Sequence, residues 1–126
     1  MMMVVVVIAI VVAIALIGVG LWALFDPHRM SHAYGLPAEG THAHGFTQAT
    51  GIRDLVIGGI LLAAGAWHNL PFIAVLGVAG ILLSIGDFWI AYNGNGRRLH
   101  RAHAGHAAGI IAFILVATMA LWAINL

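Results

Sequence analysis

Apolar residues in this chain run in long unbroken stretches. They do not alternate with polar ones at the spacing of a half-buried strand or a surface helix. The stretches cover roughly 3–25, 47–67, 70–92 and 102–124, each close to the ~20 residues that span a ~30 Å hydrocarbon core. A polar segment over 26–46, a second before Ala102 and a very short break around Trp67–Pro71 separate them. The pattern predicts an all-α integral membrane four-helix bundle, a single domain over 1–126. Asn69 and Pro71 interrupt helix at the short break, which predicts an antiparallel hairpin and up-down order.

Composition agrees. The 126 residues are 63% hydrophobic and 7% charged, with a mean hydropathy of +1.05. A soluble domain of this length has too little interior for so much apolar surface. The first stretch lacks a basic leader and a small-residue cleavage site, and it ends in Phe25-Asp26-Pro27. It reads as a retained helix and not as a cleavable signal peptide. With no cysteine, disulfides, thiolate metal ligation and thiol redox chemistry are excluded. A net charge of +1 gives no case for nucleic acid.

The charged residues fall on one side. Asp26, Arg29, Glu39, Arg53, Asp54, Asp87, Arg97, Arg98 and Arg101 lie in or near the two polar segments, and the short break has none. The positive-inside rule then places both polar segments in the cytoplasm and both termini outside. Trp22, Trp89 and Tyr92 fall at the cytoplasmic interface, Trp67 and Trp122 at the other, as an aromatic belt would have them. The expected location is a bacterial inner (cytoplasmic) membrane. The 26–46 segment, with its Tyr34-Gly35-Leu36-Pro37 turn, is either a lid over the bundle or a solvated loop.

Small residues line the helix faces. Thr47, Gly51, Asp54, Gly58, Leu61 and Gly65 share one face of the second helix. Gly77, Gly80, Ser84 and Asp87 share one on the third, and His106, Gly109, Phe113 and Ala117 one on the fourth. Such stripes let membrane helices approach closely. The first helix, mostly Val and Ile with Gly18 and Gly20, looks featureless and free to face lipid or a partner.

Asp54, Asp87 and His106 would lie roughly 7–11 Å from the cytoplasmic boundary, at the ~1.5 Å rise per residue of a helix. A charge at membrane depth costs on the order of 2.5–3.5 kcal/mol, so these groups should be paired. Arg53 is expected to bind Asp54 or Asp87, with His106 on the remaining carboxylate. The network either locks helix register or forms the polar head of a site.

The chain has eight histidines. His100, His103 and His106 drift around their helix by ~60° per step and do not converge. His100 and His103 are expected at the interface, with only His106 buried. No metal and no cofactor are expected.

Taken together, Phe25-Asp26-Pro27, Tyr34-Gly35-Leu36-Pro37, Gly51-Ile52-Arg53-Asp54-Leu55 with Gly58, Gly86-Asp87 and His106 carry a resemblance. Over nearly its whole length the chain resembles a family of small four-helix membrane proteins from bacteria and fungi, grouped only as a domain of unknown function. The resemblance implies the membrane fold and no particular activity.

Two functions compete. The first is a site for a hydrophobic small molecule or lipid, with Arg53, Asp54, Asp87 and His106 as head and Trp89, Tyr92 and Phe46 as apolar wall. If catalytic, its chemistry would be proton transfer of isomerase type. His106 would be the acid/base, one aspartate would orient it, and Arg53 would stabilise negative charge. The second is a structural accessory subunit of a larger membrane complex or a homo-oligomer, the cluster serving helix register. Transport is disfavoured, because four helices enclose little lumen.

Overall fold

The computed structural model covers residues 1–126 and contains five helices and no strand. α1 (Met2–Phe25), α3 (Thr41–Ala66), α4 (Leu70–Gly94) and α5 (Ala102–Ile124) are each long and apolar enough to cross a membrane. α2 (Pro27–Ala33) is a short helix in the polar segment after α1.

That segment is more ordered than a loop. Asp26 caps α2 by accepting the Arg29 N–H at 3.2 Å, and Pro27 occupies the first turn, where its missing N–H is harmless. Gly35 takes the left-handed conformation beyond α2 (φ +79°), and the Leu36 N–H closes back on the Ser31 carbonyl at 3.0 Å. Gly40, at φ +87°, then turns the chain into α3. α3 therefore starts at Thr41 and not near Thr47. Hydropathy marks where a helix becomes apolar, and these first turns are too polar to be seen that way. At the start of α4, Asn69 accepts the Phe72 N–H at 3.1 Å with Pro71 in the first turn.

α1 packs mainly on α3, and α4 mainly on α5. A Cβ added to Gly51 would stand 2.7 Å from the Ala23 Cβ and 2.8 Å from the Gly20 carbonyl oxygen. One added to Gly58 would meet the Ala13 carbonyl at 3.0 Å. In the other pair, a Cβ on Gly77 would stand 2.8 Å from the Ala117 nitrogen, and one on Gly80 would overlap the Phe113 ring. The first helix is thus not featureless: Ala13, Gly20 and Ala23 are buried along a face that α3 covers. α3 and α4 are joined by the short break yet touch each other little.

Packing is uneven along the bundle. Val5, Leu61, Ile73 and Val116, one from each long helix, are at most 1% exposed and centre one shared core. At the opposite end a half-open cavity lies between the pairs, and α2 with its following turn lies against α3 and the start of α5.

Candidate functional site

Arg53 is the hub of the polar cluster. Its Nε and Nη2 donate to Asp54 Oδ1 at 3.2 and 3.1 Å. Its Nη1 and Nη2 donate to Asp87 Oδ1 and Oδ2 at 3.1 and 2.7 Å, a two-point clasp from α3 to α4. Neighbours along a helix point apart, but the long Arg53 side chain folds back far enough to engage both carboxylates. Asp54 is 7% exposed, while the Arg53 and Asp87 side chains are 31% and 26% exposed. All three are buried to a degree that would be costly without pairing.

The second oxygen of Asp54 goes to a residue from the polar segment. The Tyr34 hydroxyl donates to Asp54 Oδ2 at 3.0 Å. Burial first, and then the neighbouring Asp54 carboxylate, push the Tyr34 hydroxyl pKa well above its ordinary value. Tyr34 is held by its surroundings. Ser31, 1% exposed, donates to the His28 carbonyl at 2.7 Å and accepts the Ala38 N–H at 3.1 Å. Asn95 donates to the Gly35 carbonyl and to the Ala91 carbonyl, tying the turn to the end of α4. The segment is a lid.

His106 does not take the carboxylate expected of it. Its Nε2 lies 3.0 Å from the Tyr34 carbonyl oxygen, and its ring stacks on the Tyr34 ring with centroids 6.0 Å apart. A carbonyl only accepts, so Nε2 is the donor in this contact. Both carboxylates are engaged by Arg53, and neither is hydrogen-bonded to the imidazole. Four of the Arg53 hydrogen bonds go to Asp54 and Asp87, which leaves one N–H for a new negative charge.

Two cavities meet at this cluster. One, of about 450 Å³, lies between the helix pairs and is walled by apolar residues such as Leu16, Ile57, Leu83 and Phe113. The other, of about 360 Å³, lies under the lid beside Leu36, Phe46 and Thr50. Tyr34, Arg53, Asp87 and His106 line both, so the polar cluster is a partition between the two. Of the expected wall, Phe46 borders the lid chamber, whereas Trp89 and Tyr92 border neither.

The other histidines have separate surroundings. His103, not His106, is the fully buried one, at 4% exposure. The His100 N–H donates to its Nδ1 at 2.8 Å, and its Nε2 has no hydrogen-bond partner. The ring is flanked by Phe88 and Tyr92, at centroid distances of 5.1 and 6.2 Å.

Tyr34 was the site residue hidden from the sequence. A tyrosine in a polar segment carries no periodic signal, and only the Gly35-Leu36-Pro37 turn beside it hinted at a fixed position.

The chain belongs to the family described as a domain of unknown function (DUF4267), whose pattern spans residues 13–122. No curated protein and no solved structure matches it.

Proposed function

We propose that this DUF4267 protein is an integral membrane receptor for a hydrophobic small molecule or lipid. The apolar body of the ligand occupies the chamber between the helix pairs, and its polar head meets the Arg53–Asp54–Asp87 cluster and His106. The carrying observation is the cavity of about 450 Å³, a size typical of small-molecule sites, ending at a buried charged cluster. Binding is the reading this geometry supports. Turnover by His106 is a further step that binding does not require.

The expected bundle is antiparallel with both termini outward, in a bacterial inner membrane. Gly51 against Gly20 and Gly58 against Ala13 support opposed directions for α1 and α3. The exposed Trp22 and Trp89 near one end, and Trp67 and Trp122 near the other, support a belt. Met2→Cys and, separately, Arg97→Cys would test the orientation on a background free of native thiols. Labelling of position 2 from the cytoplasmic side would reverse it.

The ligand is tested by native mass spectrometry after gentle extraction. Gly105 lines the chamber, and a Cβ there meets nothing within 4 Å. Gly105→Leu should therefore fill space without breaking contacts. Gly59, also without neighbours within 4 Å and outside the chamber, is the control. A bound amphiphile should survive in wild type and Gly59→Leu and be lost in Gly105→Leu. Equal retention in all three, or none in any, would sink the reading. An accessory-subunit role has no observation of its own, because exposed apolar faces are what lipid also demands.

A further inference from the structure

The charge arithmetic of the partition narrows the ligand, provided the chamber binds one as proposed above. Arg53 is met by two carboxylates, so with both ionised and the His106 imidazole neutral the cluster carries one more negative than positive charge. Four of the guanidinium's hydrogen bonds already go to those carboxylates, out of about five N–H groups that any arginine has. The other arginines do not make up the difference. Arg29 pairs with Asp26 at 3.5 Å and is 80% exposed, and Arg97, Arg98 and Arg101 are exposed in the connection before α5. A phosphate or carboxylate head placed here would be a third anion on one arginine. The wall behind it is apolar, so the field is poorly screened.

We infer that the chamber takes a lipophilic amine, its alkyl or ring body between the helix pairs and its ammonium group against Asp87 beside Asp54. Asp87 is the more exposed of the two carboxylates and lines both chambers, so it can accept an added donor without losing Arg53. The ammonium brings the missing positive charge and up to three N–H donors. Tyr34 closes the far side of Asp54, so the cation's place is on Asp87.

Three probes with one ten-carbon chain separate the possibilities: decylamine, decanol and decanoate. Their binding to the full chain in nanodiscs at neutral pH is measured above that of empty nanodiscs. The amine should bind about tenfold or more tightly than the alcohol, as close charge pairs do when desolvated. Decanoate should be weakest. Asp87→Asn should remove most of the amine's advantage and leave decanol unchanged. Alcohol or carboxylate binding as tight as the amine's, and blocked by Gly105→Leu, would overturn the charge inference and leave the chamber reading standing. An amine preference that survives both Asp87→Asn and Asp54→Asn would also overturn it. If none of the three probes binds, both readings fall.

Discussion

Tyr34 and Asp54 are joined by a 3.0 Å hydrogen bond that fastens the lid to the interior of α3. Through it Asp54 has both oxygens engaged, Oδ1 by Arg53 and Oδ2 by Tyr34. The Tyr34 carbonyl meanwhile holds His106. One residue of the polar segment therefore links α3 and α5 to a cluster that also reaches α4.

Tyr34→Phe should loosen this junction. A hydrogen bond to a charged group contributes about 1.5–3 kcal/mol, and the part-buried setting puts this one at the lower end. Thermal unfolding in detergent should show a lower midpoint than wild type, and hydrogen exchange should rise across Pro27–Gly35. Unchanged exchange in that segment would mean that the lid is held by Asn95 and Ser31 alone.

Alkaline pH should act through the same hydroxyl. Its pKa is raised in the folded protein, so the folded state holds the proton more tightly than the unfolded chain. That contribution is complete below the unfolded tyrosine value of about 10. It is lost as pH rises through the higher folded one. Ultraviolet titration should show a late tyrosinate component that vanishes in Tyr34→Phe. A component that persists in that variant would assign it to Tyr92.

Arg53 should be worth more alone than the whole cluster is worth together. Removing it strands two carboxylates. Breaking a buried pair this way costs about 3–5 kcal/mol, and less for groups partly exposed as these are. Arg53→Met should therefore be less stable than Arg53→Met combined with Asp54→Asn and Asp87→Asn. Additive losses across the three changes would show that the charges do not act as a unit.

The α1–α3 seam gives a paired comparison. At Gly51 a methyl group collides with Ala23 and the Gly20 backbone, whereas at Gly59 it meets nothing within 4 Å. Gly51→Ala should lower the thermal midpoint. Gly59→Ala should leave it unchanged or raise it, since alanine favours helix over glycine by up to about 1 kcal/mol. A tolerant Gly51 would mean that the helices separate at no cost.

Much of the architecture was legible from solvent arguments alone. Four long apolar helices follow from hydropathy, and Arg53, Asp54 and Asp87 stood out because charge inside apolar stretches demands partners. What stayed hidden has a common cause. The His106 partner is a backbone carbonyl, which leaves no mark in a sequence. Helix neighbours depend on which small faces fit: Gly51 and Gly58 were visible on α3, but of their counterparts Ala13, Gly20 and Ala23 only Gly20 stood out among the valines. The short break predicted an antiparallel hairpin of α3 and α4 but not how little the two would touch. His103 was misplaced outward because a histidine near a helix start reads as interfacial unless Phe88 and Tyr92 are known to cover it.

The close packing around Val5, Leu61, Ile73 and Val116 and the hollow beside Arg53 occupy opposite ends of the same four helices. A chain built this way separates what keeps it folded from what it can recognise. Residues such as Leu83 and Ala112 border the hollow and are not among the close contacts of the seam glycines, so a change in their size would reshape it. One scaffold can then be retuned to differently shaped guests while its closed end is inherited intact.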